Sequence, residues 1–157
     1  MRKRTKRKVY ALRDPISYAI SGVRTFRSVS ASVDVEIANH ASMEALVKGE
    51  ATKYDLQVLS NVVNMSIALA KQGFADAHQQ DFADAKAAIV SIVERGKKLS
   101  RVVATGPEIK ALNWALEVHD AQLGVVSVSE IERANKYIQD TVRSGGADML
   151  KLKEVPV

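Results

Sequence analysis

Apolar residues recur at helical spacing along most of this chain, and the clearest example lies between residues 52 and 73. This stretch begins at Thr52, which suits an N-cap, contains no proline or internal glycine, and ends at Gly73. Two adjacent apolar lines run along it: Leu56, Leu59, Val63 and Ile67, and beside them Val58, Val62, Met65 and Leu69. A stripe of this width predicts a central helix that is covered on more than one side, as in a small bundle.

Two helices are predicted before this central stretch. Asp14 and Pro15 suit an N-cap and a first turn, and an apolar line follows as far as about Arg27. That line consists of Ile16, Ala19, Ile20 and Val23. The second predicted helix covers residues 33–48, although the alternation of β-branched residues at the start of this range also fits a strand. Its apolar line consists of Val33, Ile37, Ala41 and Ala45, with Met43, Leu46 and Val47 nearby.

Three helices are predicted after the central stretch. The first has a seam that steps three and four residues at a time, which is typical of a helix packed nearly antiparallel to a neighbour. The seam consists of Phe82, Ala85, Ile89, Ile92, Gly96 and Leu99. Capping-box spacing opens the other two helices, at Thr105 with Glu108 and at either Ser127 with Glu130 or Ser129 with Glu132. Their apolar lines consist of Ile109, Leu112, Leu116, His119 and Leu123, and of Ile131, Ala134, Ile138 and Val142.

The sequence therefore predicts an all-α fold, a single-domain bundle of five to six helices. Its length of 157 residues suits one domain with a continuous core. The predicted domain covers residues 13–144, between a basic arm at residues 1–12 and a C-terminal tail at residues 145–157. The tail is either loose or a short strand.

The positive charge is concentrated at one end of the chain. Six of the first eight residues are basic: Arg2, Lys3, Arg4, Lys6, Arg7 and Lys8. Three more basic residues, Arg13, Arg24 and Arg27, bring residues 1–27 to a net charge of +8, against −3 for the remainder. A dense basic segment can neutralise several phosphates and release their counterions, so these nine residues are the candidate nucleic-acid-binding residues. The alternative is a solubilising tail that contacts nothing.

The residue types needed for most catalytic and metal sites are scattered or absent. The chain has no cysteine, which fits a reducing cytoplasm, and no phosphate-binding glycine motif or serine nucleophile motif. Its three histidines, His40, His78 and His119, lack metal-ligand spacing, and His119 is expected to be a partly buried histidine bonded to a neighbour. Acidic pairs, Glu36 with Glu44 and Asp81 with Asp84, fit solvated helix surfaces. We therefore expect no enzyme activity, no metal and no cofactor.

Four segments carry a resemblance to a known group of proteins. They read RKRTKRKVYAL-x-x-PI, ATKYDLQVLSNVVNMSIALAKQG, ATGPEIKAL and EVHDAQL, and the similarity extends over about residues 1–140. In these segments the chain resembles small basic proteins encoded by temperate phages and prophages of proteobacteria. The resemblance implies an accessory role inside the bacterial host cell, and it brings no catalytic residues because none are assigned in that group.

A non-enzymatic binding protein is the leading interpretation. Its basic arm would contact nucleic acid or a nucleoprotein complex, without a membrane partner, since no apolar run is long enough to span a bilayer. One alternative is a protein-directed inhibitor of a host system, such as an anti-CRISPR-like anti-defence factor, and another is a virion structural or assembly component. Trp114 is the interface candidate, and the apolar pair Ala87 and Ala88 could mark a second helical contact or a homodimer face.

Overall fold

A computed structural model describes residues 30–75, 79–146 and 149–150 of the chain. These residues form an all-α bundle of five helices, and the described part contains no strand. The helices are α1 (Ser30–Lys48), α2 (Lys53–Ala70), α3 (Gln79–Leu99), α4 (Gly106–Leu123) and α5 (Val128–Ser144). The predicted helix at residues 14–27 and the basic arm lie outside the described residues. Because α1 is helical from Ser30 onwards, the strand alternative for the start of the range 33–48 is wrong.

Helix α2 is the centre of the bundle, because it packs against all four of the other described helices. Its N-terminus carries a capping box, in which the Asp55 carboxylate accepts the backbone N–H of Thr52 at 2.7 Å. The stripe predicted from the sequence is buried along most of its length, and Leu56 and Leu69 are completely inaccessible to solvent. The helix ends at Ala70, three residues before Gly73, which adopts a positive φ of 97° in the following turn.

The apolar line predicted for α1 is wrong. Val33 and Ile37 are 55% and 62% exposed, and Ala41 is exposed as well. The buried face of this helix consists instead of Asn39, Ser42, Met43 and Leu46. Ser42 is satisfied there by a hydrogen bond to Asp55, whereas the side-chain amide nitrogen of Asn39 is buried without a hydrogen-bond partner among the described residues. The helix also begins three residues earlier than predicted, at Ser30.

The other predicted lines agree more closely with the structure. On α3 the seam is buried from Phe82 to Gly96, and only its last member, Leu99, is exposed. The line on α4 is buried except for Ile109, which is partly buried. Helix α5 is capped at its N-terminus by Ser127 with Glu130, the first of the two predicted capping boxes. Gly145 follows its last residue in the left-handed conformation, with a φ of 80°. Only Ala134 of its line is fully buried.

Two side-chain contacts show that α3 and α4 run antiparallel. Near the beginning of α3, the ring of Phe82 meets Trp114 of α4 at a centroid distance of 5.0 Å. Near the end of α3, Arg95 bonds Glu108 in the first turn of α4 at 2.6 Å. The connections are short, so successive helices alternate in direction, and the ends of α1 and α3 that come first in the chain lie at the same end of the bundle.

The described residues of the predicted tail pack against the bundle. Met149 is buried in a small core formed by the ends of α2 and α4 with α5. The side chain of Asn64, in the middle of α2, accepts the backbone N–H of Leu150 at 2.8 Å and donates to its carbonyl at 3.1 Å. This pair of bonds satisfies a buried amide and fixes the backbone of Leu150 against α2.

We predict that Leu59→Ala, in the middle of α2, lowers the free energy of unfolding by about 2–5 kcal/mol, the usual cost of emptying a packed leucine site. Leu59 is 2% exposed and lies in the main core. Urea unfolding followed by circular dichroism measures the change. Tyr54→Ala on the same helix is the control, because Tyr54 is 68% exposed and should alter stability by no more than about 0.5 kcal/mol. Equal effects of the two substitutions would contradict the central role of α2.

Candidate functional site

The nine candidate nucleic-acid-binding residues lie outside the described residues. They are Arg2, Lys3, Arg4, Lys6, Arg7, Lys8, Arg13, Arg24 and Arg27. His78 lies outside them as well. The surfaces that can be described are therefore those of the helical body, and the interface candidate Trp114 belongs to one of them.

A groove lies between α3 and α4, called here the α3–α4 groove. Its volume is about 580 Å³. It is lined by Asp81, Asp84, Ala87, Ala88 and Ser91 of α3, and by Pro107, Glu108, Lys110, Ala111 and Trp114 of α4. Sequence periodicity indicated Trp114 and the Ala87–Ala88 pair as separate interface candidates. The antiparallel packing of α3 and α4 brings them together in one groove.

The floor of the groove is apolar and is built mainly from small residues. Ala87, Ala88 and Ala111 leave room for an additional helix to approach closely, and Trp114 forms one boundary. The partly exposed Trp114 ring stands against buried Phe82 at an interplanar angle of 66°, an edge-to-face contact that fixes its orientation. The groove is therefore a rigid surface that suits helical side chains.

One end of the groove is fixed by an ion pair. Arg95 donates to both carboxylate oxygens of Glu108, at 2.6 and 2.8 Å, and to the carbonyl oxygen of Val103 at 2.8 Å. These bonds, together with the backbone N–H of Thr105, hold the pKa of Glu108 down at about 2, against the opposing effect of burial. The Glu108 carboxylate therefore has a structural role: with Val103, it ties the start of α4 and the loop before it to Arg95 of α3.

The remaining charges along the groove are unevenly distributed. The acidic residues Asp81 and Asp84 lie on the first turns of α3, and Asp84 also accepts a hydrogen bond from Gln80 at 3.0 Å. The cationic residue is Lys110, at the opposite end of the groove near Pro107. An occupant of the groove that matches its charges therefore has its basic residues at the Asp81 end.

A second surface is the exposed apolar side of α1, called here the α1 face, which consists of Val33, Ile37 and Ala41. These residues recur every fourth position and therefore share one side of the helix. Acidic residues Asp34 and Glu36 lie beside them in sequence. The α1 face is convex, in contrast to the α3–α4 groove, and its apolar character makes it an interaction candidate.

The two described histidines, His40 and His119, have environments that the sequence did not indicate. Asp120 bonds not to its neighbour His119 but to His40 on α1, at 2.8 Å, a contact across 80 residues that no sequence spacing indicated. His119 is buried, and its Nδ1 has no hydrogen-bond partner among the described residues. Burial lowers the pKa of His119 to about 4, although the charge of Asp120 acts in the opposite direction. It is therefore a neutral core residue near pH 7.

Within the described ranges, no three His, Asp or Glu side chains lie close enough to hold a metal ion. None of the described helices is both long and apolar enough to cross a membrane. The α3–α4 groove and the α1 face offer shape, apolar area and charge.

Comparison with known proteins gives no family for this chain. No family model, curated protein or solved structure matches it. The resemblance to phage and prophage proteins stays a prediction.

We predict that stability falls between pH 6.5 and pH 4 partly through His119. The unfolded chain takes up a proton near the ordinary value of 6.5, whereas the buried ring resists protonation down to about 4. Protonation therefore favours the unfolded state in this window, by at most about 1.4 kcal/mol per pH unit. His119→Gln should flatten this part of the stability–pH curve, measured by urea unfolding at successive pH values.

The matched control is His40→Gln, which alters an exposed histidine and should leave the contribution of His119 in place. An unchanged slope in His119→Gln would show that the buried ring does not remain neutral in the folded protein.

Proposed function

We propose that this protein is a non-enzymatic binding protein of phage or prophage origin whose basic arm contacts nucleic acid or a nucleoprotein complex. The segregation of charge along the chain carries this proposal. Residues 1–29 have a net charge of +8, whereas residues 30–146, which include all five described helices, contain 15 acidic and 12 basic residues and sum to −3. Attraction to a polyanion therefore arises from one end of the chain.

The acidic excess of the body strengthens this assignment of roles. A phosphate backbone is attracted to residues 2–8, where six positive charges occur without an acid, and is repelled overall by the rest of the protein. The helical body would then hold and orient the arm. In this arrangement Arg13, Arg24 and Arg27 extend the positive segment towards the point where α1 begins.

We predict that binding to a labelled DNA duplex of arbitrary sequence weakens steeply with salt. Neutralising six phosphates gives a slope of log affinity against log salt of about −5. Replacing Arg2, Lys3, Arg4, Lys6, Arg7 and Lys8 together by glutamine should remove most of that slope while keeping the length of the chain. Fluorescence anisotropy at several salt concentrations measures both quantities, and a labelled single-stranded RNA distinguishes the two kinds of nucleic acid.

The control replaces basic residues of the body instead of the arm. Lys98, Arg101 and Lys136 are exposed on described helices or loops, and changing all three to glutamine should reduce the salt slope by much less. Affinity that is independent of both salt and the six substitutions would overturn the proposal.

A second candidate function is favoured by the α1 face. Ile37 is 62% exposed, and Val33 on the same side of α1 is 55% exposed. Exposed apolar side chains of this kind can anchor a protein partner, whereas they contribute nothing to phosphate binding. This exposure supports a protein-directed inhibitor of a host system that recognises its target through α1. In this alternative the arm serves only to keep the protein soluble.

We predict for this alternative that a tagged copy captures a defined host protein from nuclease-treated lysate, and that Ile37→Glu abolishes the capture. The substitution places a charge where the partner must exclude water, and it should leave the circular dichroism spectrum unchanged because the site is exposed. Val90→Glu is the control, since Val90 is 51% exposed on α3, outside the α1 face. Equal capture by wild type and Ile37→Glu would reject α1 as the recognition surface.

A further inference from the structure

We propose that the α1 face is a dimer interface, at which α1 contacts the α1 of a second copy of this chain in the antiparallel direction about a two-fold axis. Nucleic-acid binding by the arm does not depend on this contact, whereas the second candidate function assigns the same face to a host protein. The α1 face supports a second copy because it is complementary to itself, both in the size of its side chains and in its charges.

The α1 face points away from the bundle. Val33 and Ile37 are 55% and 62% exposed, and Ala41 is exposed as well. The opposite side of the helix, which contains Met43 and Leu46, is buried where α1 packs on α2 and α4. A helix of another molecule can therefore reach the apolar row without displacing any described helix.

Side-chain size along this row changes from large to small. Beyond Ala41 the row continues at the same spacing of four residues to Ala45, which is partly buried, and to exposed Gly49 just after the helix. In an antiparallel pair with Ala41 on the two-fold axis, Val33 meets Gly49 of the second copy. Ile37 meets Ala45 in the same way. Each large residue then enters the space above a small one, as ridges enter grooves in helix packing.

The charges have the same symmetry. Asp34 and Lys48 are 14 residues apart, which is two heptads, so they lie on the same side of α1. Both are seven residues from Ala41, so the same axis brings each Asp34 to Lys48 of the other copy. A parallel pair would instead bring Asp34 to Asp34 and Ile37 to Ile37. The antiparallel arrangement is therefore the one that both size and charge select.

Lys48 can accept a second carboxylate. It bonds Glu44 of its own helix at 2.6 Å, but its side chain is still 56% exposed. Exposed ion pairs contribute little affinity, so the apolar contacts around Ile37 supply most of it and the charges mainly set the orientation. A single pair of helices forms an interface below about 1,200 Å² of total buried area, which is typical of weak complexes. The dimer should therefore dissociate on dilution through the micromolar range.

The absence of cysteine from the chain allows a direct test of the register. Ala41→Cys places two thiols opposite each other on the axis, so a disulfide between two chains should form in most molecules under mild oxidation. Ile37→Cys alone should cross-link poorly, since positions 37 of the two copies lie about 12 Å apart along the helices. An equal mixture of Ile37→Cys and Ala45→Cys should cross-link again. Val90→Cys, exposed on α3 outside the α1 face, is the control.

Charge reversal tests the pairing of Asp34 with Lys48 in solution. Asp34→Lys alone creates two repulsive pairs in its dimer, and so does Lys48→Asp alone, so each should weaken association by about tenfold. An equal mixture of the two variants has two attractive pairs and should recover the association of the original chain. Sedimentation velocity over a dilution series measures the dimer fraction. Asp140→Lys makes the same charge change on exposed α5 and should leave association unchanged.

Cross-linking at position 41, together with recovery in the mixture of charge variants, supports the dimer. A chain that is monomeric at every concentration overturns the proposal. In that case, capture of a host protein through Ile37 assigns the face to that protein, and shielding of Ile37→Cys from alkylation shows that another part of the same chain covers it. Equal cross-linking of Ala41→Cys and Val90→Cys also overturns the proposal, because it indicates random collision. Circular dichroism and urea unfolding verify that each variant is folded.

Discussion

The structure depends on the burial of α2 on several sides at once. A fully buried leucine or valine contributes about 1.5–3 kcal/mol by leaving water, and α2 places Leu56, Leu59, Val63 and Leu69 in that situation. Helix α5 cannot stabilise itself in this way, because only Ala134 of its side chains is fully buried. The outer helices therefore pack on the apolar surface that α2 supplies, and α3 and α4 bury further surface against each other.

Apolar burial is not directional, so polar contacts must select the alignment of the helices. Gln122 of α4 donates to the carbonyl oxygens of Ser66 and Phe74, at 3.1 and 3.0 Å, and so fixes the end of α2 and its following turn. At the other end of the bundle, Arg95 of α3 donates to the Glu108 carboxylate and to the Val103 carbonyl oxygen, and so fixes the start of α4 against α3. Each of these groups is at least partly withdrawn from water, where an unpaired polar group is costly. A slipped helix would lose several such bonds simultaneously.

Sequence periodicity predicted the fold where a helix buries one apolar side, and it failed where burial was decided by distant partners. The capping boxes and the lines of α2, α3 and α4 are local patterns, so they could be read directly. The buried face of α1 includes Asn39 and Ser42, which no hydrophobic periodicity would select, and Ser42 is satisfied by Asp55 on another helix. The α3–α4 groove could be predicted only in pieces for the same reason. Trp114 and Ala87 lie 27 residues apart, and only the antiparallel pairing makes them neighbours.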